Sequence, residues 1–442
     1  MTGGECDWMR MAPGFSSEES GEKNSRGLSF GGKEYGRIRQ LKDWMNEMNK
    51  KMEYPNYGGR FCGYKFIFAC IFLLFLSINS DVALGQVTRA RDYGIEIGVF
   101  KPGKYNAITD VPGVKVGHTT LNLENHIRTG VTVILPHVGN LYQEKVPAAI
   151  YIGNGYGKLA GYTQVLELGN LETPIVLTNT LSVPVAMNAL ISYTLGLSGN
   201  ETVRSVNALV GETNDGYLND IRGQHVKEEH ILQAIHKAES GPVAEGNVGA
   251  GTGTVCFGWK GGIGTASRVI PGALGGYTVG VLVQTNFGGV LEINGAPVGV
   301  ALKQHAFRDA IHHEADGSCM IVVMTNAPLT SRNLERLAKR AMLGLGKTGG
   351  IASNGSGDYV IAVSTAPKIR IPASSESPLL KQEILRNDHM SSLFMAVIEA
   401  TEEAIINSLF AAETMTGRDG HRVEALPKDT VIKILKKYQV IQ

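Results

Sequence analysis

Cysteine is scarce where the chain has to fold: of five cysteines, Cys6, Cys62 and Cys70 precede residue 86, and only Cys256 and Cys319 follow it. Two thiols cannot build a disulfide framework. An excess of charge of one sign is missing too, because 42 Lys and Arg face 41 Asp and Glu for a formal net charge of +1. Such a balance leaves no field to hold nucleic acid or an acidic membrane, and suits a small neutral or zwitterionic partner. Long apolar runs are absent: the longest, Phe66–Leu76, falls well short of the about 20 residues of a membrane span. Nucleotide and metal motifs are equally wanting. Ala341-Met342-Leu343-Gly344-Leu345-Gly346-Lys347-Thr348 approaches a phosphate loop, but it starts on alanine and follows a predicted helix where a strand is needed. Gly344, Gly346 and Gly349 match G-x-G-x-x-G in the same unsuitable setting. His312, His313, Glu314 and Asp316 lack H-E-x-x-H spacing and read as a solvated loop.

What the chain has in quantity is glycine, 55 residues without a collagen-like period, which implies many tight turns and close backbone approaches. A length of 442 residues allows one large domain or two to three ordinary ones. Residues 1–64 are polar with no sustained apolar period, and are expected to be a disordered or over-called extension. Residues 65–85 then read as a signal peptide, with basic residues before the apolar run and Ala83-Leu84-Gly85 after it. Its distance from Met1 suggests initiation at Met48 or Met52. An uncleaved anchor or a buried segment are the other readings. The expected location is exported, periplasmic or secreted.

From Gln86 onward short strands and helices alternate between glycine turns. Strands are predicted after Asn106–Pro112, at Val131–Leu135, Ala148–Ile152, Tyr277–Gln284 and Tyr359–Val363, and helices at Val183–Leu195 and Glu228–Ala238. A further helix is expected from Ser331, as its cap, to a stop at Gly344 and Gly346, and a long amphipathic one spans Leu393–Leu409. The pattern argues for layered α/β architecture.

One peptide bond stands out, Gly317–Ser318. A polar stretch ends at Gly317, Ser318 follows, and the buried run Cys319–Thr325 begins at once, so the serine sits at the mouth of a strand. If the bond is cut, Ser318 carries its own base, since a free α-amine titrates near ~7.7–8.0. The plain alternative is a Gly-Ser turn before a strand. Cys319 alternates to the other face and is expected to be structural. In Ser353-Asn354-Gly355-Ser356-Gly357-Asp358, Ser356 and Asp358 fall on one side in extended geometry, fit to orient such an amine, or simply to form a turn. Asn286, at a strand end, is a candidate oxyanion donor.

These runs together resemble the self-processing serine aminopeptidases typified by L-aminopeptidase D-Ala-esterase/amidase and the β-peptidyl aminopeptidases. The matching stretches are NAITDVPGVKVGH (106–118), RTGVTVILPH (128–137), GETNDGYLNDIR (211–222), GSCMIVVMTNAP (317–328), NGSGDYVIAVST (354–365), EATEE (399–403) and ETMTGRDGH (413–421). The resemblance implies a four-layer helix-sheet-sheet-helix sandwich, like the N-terminal-nucleophile hydrolases with different connectivity. It implies cleavage at Gly317–Ser318 into an α chain, 86–317, and a β chain, 318–442, that stay together and form a homo-oligomer. Ser318 becomes the nucleophile, supported by Ser356, Asp358 and Asn286. Glu212 receives the substrate ammonium; Asn214 replaces an aromatic residue of some relatives, and Tyr217 lines the pocket or substitutes for it. Asp358 is shorter than the Glu of some relatives. The implied activity removes N-terminal α-, D- or β-amino acids from short peptides, amides or esters, with no metal or organic cofactor. An acyltransferase on a related self-cleaving fold and a catalytically silent exported binding protein are the alternatives.

Overall fold

The computed structural model describes residues 88–308 and 317–442. The predicted extension 1–64, the predicted signal segment 65–85 and the loop with His312, His313, Glu314 and Asp316 lie outside the described residues. Apolar β-branched runs between glycine turns form short strands, and 3.6-residue patterns form helices. The strands in chain order are β1 (Lys115–Leu123), β2 (Ile127–Leu135), β3 (Glu144–Gly155), β4 (Leu159–Ala160), β5 (Asn170–Leu171), β6 (Ile175–Asn179), β7 (Leu209–Thr213), β8 (Val255–Cys256) and β9 (Trp259–Lys260). They continue as β10 (Ile263–Val269), β11 (Thr278–Asn286), β12 (Ser318–Thr325), β13 (Gly357–Ser364), β14 (Ile371–Pro372), β15 (Met415–Thr416) and β16 (Arg422–Val423). The helices are α1 (Tyr162–Leu168), α2 (Val183–Leu195), α3 (Glu228–His236), α4 (Val298–Ala301), α5 (Ser331–Lys347), α6 (Ser391–Ala411) and α7 (Lys428–Lys437).

One sheet runs β1-β2-β6-β7-β4, the other β10-β11-β12-β13-β3-β14 with β5 also on β3. In the second, β12 lies antiparallel to β11 and parallel to β13, which sets Ser318 opposite Asn286 and beside Gly357. Alternation then sorts the side chains into three apolar layers. Leu282, Met320 and Ile361 meet Ile134, Leu177 and Leu209 between the sheets. Val281, Ile321 and Val323 share the outer face of the second sheet with Leu337 of α5 and Leu409 of α6. Val131, Val176 and Val210 do the same under Leu190 of α2 and Ile231 of α3. The predicted four-layer sandwich is the fold.

Several local expectations are corrected. Helix α5 is preceded by Thr330 as cap, with Ser331 its first residue, and it runs through Gly344 and Gly346 to Lys347. Gly344 does not stop it because α6 packs there: a methyl group on Gly344 would lie 2.6 Å from the Ile398 carbonyl oxygen and 2.7 Å from Thr401 Cβ. Helix α6 is not amphipathic, since every residue from Glu399 to Ala411 is buried, including three glutamates. Helix α3 ends at His236, two residues before the expected Ala238. The two stretches expected to form one catalytic domain share a sheet, since β11 of 88–317 pairs with β12 of 318–442 along eight residues.

Candidate active site

Cys319 joins the core on the helix side of β12 and Met320 the core between the sheets, so Ser318 belongs to the inter-sheet side, as expected from alternation. Burial pushes the Cys319 thiol well above its ordinary range, which makes it unreactive. A single backbone N–H, that of Gly357, is shared between Ser318 Oγ at 3.2 Å and the Gly317 carbonyl oxygen at 3.1 Å. That donor holds the hydroxyl beside the carbonyl that precedes it. Glycine is needed on both sides: a methyl on Gly317 would come 2.6 Å from Phe287 Cα, and one on Gly357 would collide with the Tyr156 carbonyl and lie 3.3 Å from Ser318 Oγ.

Asn286 ends β11 directly across from Ser318, so the two side chains share a face. Its amide is fixed at both ends, Oδ1 accepting from Val255 N–H at 2.9 Å and Nδ2 donating to the Asn214 carbonyl at 3.0 Å. One Nδ2 hydrogen remains for a ligand. Behind these supports lie two groups that sequence reasoning missed. Lys260, the cross-strand partner of Val255, is fully buried and donates to the carbonyls of Gly251 at 3.0 Å and Gly261 at 2.7 Å. Burial lowers its pKa to about 7, opposed by Cys256 and Asp215. Asp215, next to Asn214, is pushed up to about 7 by burial although Asn219 donates to it at 2.9 Å. No motif in the sequence marks either residue, because what sets them here is burial behind Asn286, which only the tertiary structure shows.

Ser356 and Asp358 are brought together as predicted. Burial raises the Asp358 carboxyl to about 6, against the Ser356 hydroxyl and the Cys319 amide, which favour its charged form. Neither oxygen completes a well-formed hydrogen bond, so the charge is under-compensated. Asp358 stands one register step beyond Ser318, opposite Cys319, and approaches the first amide after the serine. Asn154, also unforeseen, holds this turn: its Nδ2 lies within 3.2 Å of the carbonyls of Ser353, Asn354 and Ser356.

Glu212 closes the group from the other sheet. Oε1 accepts from Lys158 N–H at 3.0 Å, and Oε2 accepts from the Thr180 hydroxyl. A methyl on Gly157 would sit 2.9 Å from Glu212 Oε1 and 3.9 Å from Gly357 Cα, which puts the carboxylate beside the Ser318 row. Next to it opens a cleft of about 530 Å³ lined by Lys158, Leu159, Ala160, Thr180, Leu181, Val183, Pro184 and Gln224. Tyr217 is half-exposed and stacked 4.5 Å from His421, whose Nδ1 lies 2.8 Å from the Tyr217 carbonyl. Its ring is thus engaged by the run 413–421, and the 211–222 run contributes the Asn214 backbone to Asn286.

A strand-leading serine under a fixed asparagine amide, set in a helix-sheet-sheet-helix sandwich, is the arrangement of serine peptidases with the N-terminal-nucleophile fold. The sequence profile of peptidase family S58 matches residues 106–423, and the chain belongs to that family. It is 43% identical over 381 residues to the β-peptidyl aminopeptidase BapA of Sphingosinicella microcystinivorans, covering 81% of this chain and 95% of that one. Among solved structures it is similar to a Burkholderia β-aminopeptidase, at 43% identity and a TM-score of 0.74 over 79% of this chain and 99% of that one. It is likewise similar to the L-aminopeptidase D-Ala-esterase/amidase of Ochrobactrum anthropi, described as a prototype for the serine aminopeptidases, at 36% identity and a TM-score of 0.73 over 80% and 99%.

Proposed function

We propose that the chain is a self-cleaving aminopeptidase and amidase whose nucleophile is Ser318. The observation that carries this reading is the Gly357 N–H shared by Ser318 Oγ and the Gly317 carbonyl oxygen. In maturation Oγ attacks the Gly317 carbonyl carbon, the Gly357 N–H steadies the developing oxyanion, and the Gly317–Ser318 C–N bond breaks to leave an ester and a free Ser318 amine. Water hydrolyses the ester. In turnover that amine takes the Oγ proton as Oγ attacks the substrate carbonyl. The free hydrogen of Asn286 Nδ2 donates to the oxyanion, and the leaving amine carries the proton away. Ser356 and Asp358 orient the Ser318 amine, and water releases the acyl group.

Glu212 receives the ammonium of the substrate's first residue, since a carboxylate keeps acceptor capacity beyond its two present donors. The apolar wall of Leu159, Ala160, Leu181, Val183 and Pro184 takes the side chain of that residue, so small apolar residues are preferred. Asn214, in place of an aromatic group, leaves room for the extra methylene of a β-amino acid, in keeping with the similarity to β-peptidyl aminopeptidases. The enzyme is exported through the segment 65–85 and assembles as a homo-oligomer.

Expression of residues 86–442 tests the reading by denaturing gel and intact mass. The wild type is expected as two chains, the smaller beginning at Ser318, with Ser318→Ala intact. The mature enzyme should release p-nitroaniline from β-alanine p-nitroanilide. An uncut, inactive wild type would overturn the mechanism.

A further inference from the structure

Away from the serine, two loops bring together three groups that the chemistry above does not use. His126 sits in the β1–β2 turn, while Asp220 and His225 flank the short helical turn Ile221–Gly223. One ligand atom from each lies within 4.8 Å of the others. We propose that His126, Asp220 and His225 bind one divalent cation of the zinc class, through two imidazoles and a carboxylate, and so tie the β1–β2 turn to the 220–225 loop.

The two segments are held in place before any ion arrives. The Asp220 N–H donates to the His126 carbonyl at 2.7 Å, and Arg128 N–H donates to Asn219 Oδ1 at 3.0 Å. Asp220 Oδ1 is engaged by Gly223 N–H at 3.3 Å, which leaves Oδ2 facing His225 Nε2 at 3.0 Å. Residue 223 has to be glycine for that pair to meet, since a methyl there would collide with both His225 Nε2 and Asp220 Oδ2. The Glu124 carboxylate stands 3.5 Å from His126 Nδ1, the place of the carboxylate that commonly orients a metal-binding imidazole. Oxygen and nitrogen ligands around zinc lie at about 2.0–2.2 Å, so the three groups need only side-chain rotation to close on one ion, with water completing a tetrahedron. The ion takes the place of the His225 Nε2–Asp220 Oδ2 hydrogen bond, with the neutral imidazole carrying its hydrogen on Nδ1.

The site matters to the enzyme because Gln224, in a left-handed conformation at φ 47° between Asp220 and His225, lines the cleft beside Glu212. An ion would fix that wall. The test strips the purified enzyme with chelator and measures zinc by equilibrium dialysis against ZnCl2 at micromolar concentration, together with the thermal unfolding midpoint. One zinc per chain and a raised midpoint are expected for wild type. Both should be lost in His225→Ala and in His126→Ala, the latter leaving the His225–Asp220 hydrogen bond in place. No binding by wild type, or binding unchanged in both variants, would overturn the proposal.

Discussion

Asp358 shows how a single side chain records what the site is waiting for. Its carboxyl rises from an ordinary 3.8 to about 6 because burial outweighs the help of Ser356 and Cys319. Well below 3.8 it is neutral in folded and unfolded chains alike, and burial of its charge costs nothing. As pH climbs from 4 to 6 the unfolded chain ionises first and stability falls; above 6 the full penalty, ~2–3 kcal/mol at 1.36 kcal/mol per pH unit, is present. In the uncut Ser318→Ala background, Asp358→Asn should therefore be the more stable protein at pH 8 by up to that amount, with the gap closing as pH falls below about 3.8 in denaturant titrations. Ser318, Asn286, Ser356 and Asp358 were legible because polar residues beside glycines at strand ends stand out against apolar runs, whereas Glu212 came only from the family resemblance. Asn154, Asp215 and Lys260 were not, since only the folded chain brings the 353–356 turn to Asn154 and buries Asp215 and Lys260 behind Asn286.

At the scale of elements, the β8–β9 hairpin is small but acts on Asn286. Val255 N–H holds Oδ1 of Asn286, and its cross-strand partner Lys260 gathers the carbonyls of Gly251 and Gly261. Replacing Lys260 by Met takes the Nζ donor from the buried Gly261 carbonyl and leaves that of Gly251 with the Thr254 hydroxyl alone, which loosens the hairpin. We expect kcat to drop about 10-fold with KM nearly unchanged in Lys260→Met, less than the 10²–10³ expected for losing the oxyanion donor itself in Asn286→Ala. Steady-state kinetics on β-alanine p-nitroanilide would separate these. Elements with a clean period, such as α2 and β12, were readable in place. Helix α6 misled, because the helical spacing of its apolar residues implied a polar outer face, where Glu399, Glu402 and Glu403 would have met solvent. They are instead buried beside Arg268, Arg91 and Lys347, with Arg268 Nε 3.0 Å from Glu399 and NH2 2.6 Å from Glu403. The EATEE run is thus a structural signature, fixing residues 91–106 through Arg91, Asn106 and the amides of Val99 and Phe100.

For the whole molecule, the proposed cut divides one sheet between two chains. After it, β12 still lies between β11 of the first chain and β13 of its own, and the cores above and below take residues from both. Hydrophobic burial on that scale does not depend on one peptide bond. The cut enzyme should elute from a sizing column as one species containing both chains, and part only in denaturant; separate elution in native buffer would argue against the split sheet. By itself the sequence determined the layered class, the strand that Ser318 opens, and the polar residues at strand ends, because period, glycine turns and side-chain chemistry are local properties of the chain. Only the tertiary structure decided that Gly357 N–H serves both Ser318 and Gly317, that Glu212 reaches the site from the opposite sheet, and that Lys260 lies buried behind Asn286. Those relations join residues far apart in the chain, and register and sheet packing, not local preference, set the distances between them.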